Sequence, residues 1–214
     1  MKPPDAYLDT YARHTDERVL RDPQRAVGGN WELLGRLQLE FLLQQGLRAE
    51  QRLLDIGCGT LRGGRHFIRF LQPRCYVGFD ISANAVAYAR QLVSDEGLQE
   101  KEPRILINAQ QNLRFAEFAG EQFDVVFAHS VFTHLKPEHI EECFLHVGRI
   151  MTENGRFFFT YNVADAFVQT GPKAFRYPAV FFESLSEETG FALSDVSGSY
   201  KHPRGQRMMM VSKG

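Results

Sequence analysis

Residues 53–64 read LLDIGCGTLRGG: an apolar pair, an acid, then glycines at 57, 59, 63 and 64 with an arginine at 62. The run Arg52–Ile56 has the composition of a buried strand, and about Arg62 to Leu71 reads as a helix. Gly57 and Gly59 therefore fall where a strand turns into a helix. Glycine there allows a tight turn and close approach of a ligand to the backbone. The helix start adds free N–H groups and positive potential. The spacing fits neither familiar glycine pattern: GxGxxG needs glycine at 62 and finds Arg62, while GxGxG needs it at 61 and finds Leu61.

Working outward, strand-like and helix-like runs alternate. Residues 7–21 are polar and weakly helical. Asn30 stands as N-cap of a helix over about 31–46, with Leu33, Leu34, Leu37 and Phe41 on one face and Gly46 at its end. After the glycine loop come a strand Cys75–Asp80 and a helix Ala83–Ser94 that buries Ala85, Tyr88, Ala89 and Leu92. Strands follow at Arg104–Asn108 and Asp124–Ala128, then a helix over about 137–150 with Pro137 in its first turn. GRFFFTY, residues 155–161, is again an apolar strand. A helix near 180–189 precedes two β-like runs, Phe191–Ser197 and Gln206–Ser212. Their link is too short for a crossover, so they pair antiparallel. The pattern predicts an α/β, doubly wound, mostly parallel sheet ending in an antiparallel hairpin.

The bulk numbers suit such a domain. The 214 residues carry a formal net charge of −1, which gives no electrostatic basis for binding nucleic acid or an anionic membrane. Eighteen phenylalanines point to a well-filled aromatic core more than to a special aromatic pocket. Cys58, Cys75 and Cys143 share no metal-ligand spacing, so we expect reduced thiols and no metal. MKPPDAYLDTYARHTDERVL has no apolar leader and no run is long enough to span a membrane, so a soluble, cytoplasmic protein is expected.

Two acids narrow the ligand. Asp55, two positions before Gly57, is unfavourable beside a pyrophosphate and favourable beside an ammonium or sulfonium group. Asp80 closes the YVGFD strand, where a carboxylate accepts from the ribose hydroxyls of an adenosine. That feature is common to NAD and S-adenosylmethionine binders. Asp80 also reads as a helix N-cap.

Together, LLDIGCGTLRGG, YVGFDIS, ILINAQQNL, FDVVFAHSVFTHL, GRFFFT and the terminal GQRMMMVSK make the chain resemble the class I S-adenosylmethionine-dependent methyltransferases from about residue 30 to 212. The resemblance implies a seven-stranded Rossmann-like sheet and S-adenosylmethionine as cofactor, with S-adenosylhomocysteine as product. It puts Asp55, Gly57, Cys58 and Gly59 around the methionine end, Asp80 on the ribose, and Ile81 against adenine. Asn108, where the family often has aspartate, and Ala109 would meet the adenine edge, and the His129 main chain the methionine ammonium. Leu61, Arg62 and Asn108 depart from the family pattern. One domain is expected over 1–214, with 1–46 as a helical cap and 47–214 as the α/β core.

The sulfonium is an activated donor, so catalysis is mainly alignment, plus a base where the acceptor must lose a proton. His129 and His134 are the candidate catalytic residues; a histidine at the position of His134 also serves simply to pack a helix start. Trp31, Tyr161, Asn162, Tyr177 and His202 are the candidate acceptor-binding residues. For Trp31, in GGNW, a core anchor and a lid are equally good readings, and PKAFRYPAVFF (172–182) either contacts substrate or anchors a surface loop. Arg62 and Arg65 either hold an anionic group or are solvated. A small-molecule acceptor is expected, without nucleic acid or membrane as partner, and a protein acceptor stays open. A non-catalytic S-adenosylmethionine-binding module and an NAD-dependent oxidoreductase are the rival readings.

Overall fold

The computed structural model describes residues 6–214. A seven-stranded sheet runs in the order β3-β2-β1-β4-β5-β9-β8, accompanied by a two-stranded sheet, β6-β7. The chain divides into two compact units, Met1–Gln111 and Asn112–Gly214. The doubly wound fold with a terminal antiparallel hairpin is the one expected.

In the first unit, helices α1 (Ala6–Arg21), α2 (Pro23–Ala26) and α3 (Trp31–Gln44) precede β1 (Leu53–Ile56), α4 (Gly64–Phe70), β2 (Tyr76–Asp80), α5 (Ala83–Asp95) and β3 (Arg104–Ile107). β1 and β3 both pair parallel to β2, with Asp55 opposite Gly78 and Gly78 opposite Ile105. β1 is buried along its whole length, as a central parallel strand must be. Helix α3 buries Leu34 and Phe41 of the expected face, but Leu33 is 60 % exposed and Leu37 half-buried, and Trp31, Gly35, Gln38 and Leu42 complete the buried face. The reason is Gly35, where an added Cβ would strike the Arg62 carbonyl and the His66 ring. A close approach to the glycine-loop helix thus decides the face ahead of leucine count. Asn30 precedes α3 in a left-handed conformation (φ 49°) and makes no side-chain cap; its carbonyl accepts the Leu34 N–H at 2.8 Å. Helix α5 buries Ala85, Val86, Ala89 and Val93, while Tyr88 and Leu92 are only half-buried.

The second unit contains β4 (Phe123–Ala128), α6 (Pro137–Val147), β5 (Met151–Tyr161), β6 (Val168–Gly171), β7 (Ala174–Arg176), α7 (Ala179–Thr189), β8 (Phe191–Asp195) and β9 (Arg207–Lys213). β5 starts four residues earlier than predicted, because Met151 pairs with Phe123 before a register shift. The β6–β7 hairpin is absent from the prediction: its strands are short and mostly exposed, so no apolar alternation marks them. β9 pairs antiparallel to both β5 and β8. The predicted strand ends near 197 and 206 fall instead in the β8–β9 connector, which holds a 3-10 turn at Ser197–Ser199. Phe132, Phe144, Phe157, Phe159 and Phe182 interlock with ring centroids 4.9–6.4 Å apart, so the phenylalanines do build a core.

Candidate functional site

In the first unit, the residues singled out by sequence gather at the carboxyl ends of β1, β2 and β3. Gly57 (φ 68°) and Gly59 (φ 54°) both need the left-handed backbone that glycine adopts without strain. The Gly57 N–H donates to the Phe79 carbonyl at 2.7 Å, and the Gly59 N–H donates to Asp80 Oδ2 at 2.8 Å. Asp80 Oδ1 accepts the Ser82 N–H, also at 2.8 Å. Asp80 is therefore not the cap of α5. Ser82 is, its hydroxyl accepting the Ala85 N–H. Burial raises the Asp80 carboxyl above the ordinary carboxylate range, against the lowering by the Ser82 and Gly59 N–H groups. Asn108 is buried beside it, its N–H on the Asp80 carbonyl at 2.7 Å; Ile81 is half-buried and Ala109 exposed.

Asp55 is 5 % exposed and accepts from Tyr76 Oη at 2.8 Å. Burial raises its carboxyl to about 7; the Tyr76 hydrogen bond and Arg62 oppose this, and the Asp80 charge adds to it. Cys58 is buried, with Gly78 so close that a Cβ there would lie 2.9 Å from its sulfur. Burial pushes its thiol well up, so it packs and is not a thiolate nucleophile.

The irregular half of the glycine loop has a structural account. Leu61 holds φ 66°, a left-handed conformation, where the GxGxG pattern puts glycine, and its side chain is fully buried. An added Cβ at Gly64 would meet Tyr76 Oη and Leu61 Cδ2, and one at Gly63 would meet Gln38 Oε1. The displaced glycines thus admit Tyr76, Leu61 and Gln38 to the start of α4. Arg62 is neither solvated nor left to an anion: its guanidinium donates to the carbonyls of Val27 (2.6 Å) and Gly29 (3.1 Å). Thr60 Oγ1 donates to the Pro23 carbonyl. Arg65 bonds Glu32 (2.5 Å) and Glu96 (3.1 Å), and its guanidinium lies 5.3 Å from the Trp31 ring centre. Trp31 is thus buried at the start of α3 beneath a cation. Helix α1 is tied down at Asp16, which accepts from Ser82 Oγ and from the Asn84 N–H, and at Asp9, which accepts from Gln111.

In the second unit, β4 ends at Ala128, just before His129, and parallel β5 ends at Tyr161. His129 is 8 % exposed and lies within a polar chain: Tyr200 Oη and His129 Nε2 are 2.6 Å apart, His129 Nδ1 and Ser130 Oγ 3.2 Å, and Ser130 Oγ donates to Gln206 Oε1 at 3.0 Å. His202 lies 5.3 Å from His129, ring centre to ring centre, and its Nδ1 accepts the Arg204 N–H. His129 and His202 therefore come together. His134 does not join them: its Nδ1 donates to the Lys173 carbonyl at 2.6 Å, binding a 3-10 turn to the β6–β7 hairpin. Asn162 and Tyr177 belong to the same hairpin's base, Asn162 Nδ2 donating to the Phe175 carbonyl and Tyr177 Oη to the Leu135 carbonyl. Tyr161 is fully buried against Phe182, 4.5 Å between ring centres. Sequence reasoning passed over Asp16, Tyr76, Ser130, Tyr200 and Gln206. The available signal was Tyr200 and Gln206 flanking His202 in a strand connector.

A doubly wound sheet closed by an antiparallel last strand, with one acid before the glycine loop and a second ending β2, defines the class I methyltransferase architecture. Residues 54–157 match the family model for a methyltransferase domain. Solved structures share the fold. The magnesium protoporphyrin IX methyltransferase of Synechocystis PCC 6803, with bound S-adenosylmethionine, is 14 % identical with a TM-score of 0.72, covering 100 % of both chains. A TehB-like S-adenosylmethionine-dependent methyltransferase of Corynebacterium glutamicum is 18 % identical with a TM-score of 0.65, over 94 % of this chain and 99 % of that one. Phosphoethanolamine N-methyltransferase 2 of Haemonchus contortus is 18 % identical with a TM-score of 0.69, over 97 % of this chain and 59 % of that one. The match to a methyltransferase domain thus spans 104 of the 214 residues, and the shared fold extends over the whole chain. The matched methyltransferase domain marks the chain as a methyl-transferring enzyme.

Proposed function

We propose that this enzyme transfers the methyl group directly to an oxygen, nitrogen or carbon nucleophile of a small-molecule acceptor, in the cytoplasm, as one domain with residues 1–46 as cap and 47–214 as core. The observation that carries the reading is Asp80. Its two carboxylate oxygens are held by backbone N–H groups, Gly59 on one and Ser82 on the other with Ile81 adding to the hold, and they keep acceptor capacity for ribose hydroxyls. The loop fits the cofactor elsewhere too: Gly57 (φ 68°) and Gly59 (φ 54°) make a turn that glycine adopts without strain, and Asp55 is a buried acid whose ionised form a cationic ligand would stabilise. Bound S-adenosylmethionine supplies an electrophilic methyl on a sulfonium sulfur.

Cys58, Ile81, Asn108 and Ala109 complete the cofactor set of the first unit in this reading, and His129 contributes its main chain. His129 and His134 are the proposed acid–base residues. Trp31, Tyr161, Asn162, Tyr177 and His202 are the proposed acceptor-side residues. The near-neutral charge supports a small acceptor over nucleic acid. No helix among the described residues is long and apolar enough to cross a membrane. Transfer of labelled methyl to a panel of hydroxyl, amine and carbon-acid small molecules tests the proposal, with nucleic acid and protein as further arms. Transfer to a small molecule is expected. Cofactor binding without any transfer would instead identify a binding module, and transfer confined to nucleic acid or protein would contradict the acceptor class.

A further inference from the structure

The polar chain around His129 fixes its own proton positions. Gln206 Oε1 can only accept, so the Ser130 hydroxyl hydrogen is committed to it. Ser130 Oγ then accepts from His129 Nδ1–H, and in the neutral form of the ring Nε2 carries no hydrogen. The remaining contact, 2.6 Å long, is therefore Tyr200 Oη–H donating to Nε2. Ser130 is held firmly enough to serve: its N–H donates to Thr160 Oγ1 at 2.7 Å, its carbonyl accepts from Thr133, and its backbone keeps φ 61°. Each ring nitrogen of His129 thus already has a partner, and the imidazole cannot take a proton from an acceptor molecule directly. Tyr200 Oη can, because an oxygen that donates its own hydrogen to Nε2 still has lone pairs to accept another.

The placement is right for such a role. β4, β5 and β8 point the same way, so the β8–β9 connector lies at the carboxyl ends of these strands, the edge where sheets of this class bind ligands. That connector delivers Tyr200, His202 and Gln206 to the end of β4. Tyr200 is 1 % exposed and meets the His129 ring edge-on at 79°. Tyr177 offers a contrast: its hydroxyl donates to a backbone carbonyl, which cannot carry a proton away.

We propose that the acceptor is a neutral hydroxyl compound, whose proton passes to Tyr200 Oη as the phenol's own proton passes to His129 Nε2, with Ser130 and Gln206 fixing the imidazole tautomer. This rests on the methyltransferase reading above and adds the acceptor class to it. The acceptor's O–H bond breaks, and the electron pair left on oxygen forms the bond to the methyl carbon. The pair of the broken C–S bond stays on sulfur, and the imidazolium later loses its proton to water. A carboxylate is already ionised at neutral pH and needs no such relay, whereas an alcohol or phenol does.

Tyr200→Phe keeps the ring and removes only the hydroxyl. For a hydroxyl acceptor, kcat falls about 100-fold or more, the range of a positioned acid–base group. Transfer to pre-ionised carboxylate or thiolate acceptors changes less than about threefold, and S-adenosylhomocysteine affinity, which reports folding and the cofactor site, is retained. An equal loss on both acceptor classes, full activity of the variant on hydroxyls, or wild-type transfer only to amines or carboxylates overturns the proposal. Nitrogen NMR of His129 in the wild-type protein decides independently of any acceptor. A neutral ring protonated at Nδ1, whose signals move in Tyr200→Phe, is expected; a ring protonated at Nε2 refutes the relay. Failure of S-adenosylhomocysteine to bind the wild type would strike the cofactor reading instead, and leaves the NMR result to judge the relay.

Discussion

Asp55→Asn tests the tension between cofactor binding and stability at the glycine loop. The carboxyl sits at about 7 against an ordinary 3.8, chiefly because it is buried. Below about pH 4 the folded and unfolded chains both hold the proton; between about 4 and 7 only the folded chain does; above about 7 neither does. Stability of the cofactor-free wild type therefore falls as pH rises from about 4 to about 7, by ~1.4 kcal/mol per pH unit from this one group. The gap of roughly three pH units sets a ceiling of about 4 kcal/mol. Asparagine has no such charge and still accepts from Tyr76 Oη. The variant should thus be more stable than wild type, by a margin that grows between pH 5 and 7 and levels off at pH 8. Urea unfolding of both proteins at pH 5, 6, 7 and 8 without cofactor measures it. The same variant should bind S-adenosylmethionine more weakly, because a cationic ligand loses its anion. A margin independent of pH, or a variant less stable than wild type at pH 8, would refute the reasoning.

Arg62→Met removes two charge-assisted hydrogen bonds that hold Val27 and Gly29. At ~1.5–3 kcal/mol for each bond, the loss should be at least about 3 kcal/mol and lower Tm by roughly 6–12 °C, with faster amide exchange over residues 23–30. Gly64→Ala forces a Cβ onto Tyr76 Oη and Leu61 Cδ2 and should cost about 1–3 kcal/mol in chemical denaturation. Adding Tyr76→Phe to Gly64→Ala should cost less than the two separate losses combined, since one clash disappears; strict additivity would show that the contact is not shared.

The strand order and closing hairpin were legible because buried parallel strands are near-continuous apolar runs and glycine breaks them sharply. Asp55, Gly57, Gly59 and Asp80 were legible as a group for the same reason, each lying within two or three residues of a strand end. Leu33 misled because helical faces are chosen by fit as well as by hydrophobicity, and Gly35 gave the closer approach to α4. The role of Arg62 depends on carbonyls about 35 positions earlier in the chain, and that of Tyr200 on a histidine 71 positions earlier. No local pattern encodes such distant pairings. The β6–β7 hairpin stayed hidden because its exposed strands leave no apolar period to read.

Calorimetry with S-adenosylhomocysteine on the wild type and on Asp80→Asn tests the central claim most directly. The account predicts one-to-one binding by the wild type, no comparable binding of NAD, and at least about 100-fold weaker binding by the variant, the worth of two charge-assisted ribose bonds. No binding of S-adenosylhomocysteine by the folded wild type, or equal affinity in Asp80→Asn, would contradict it.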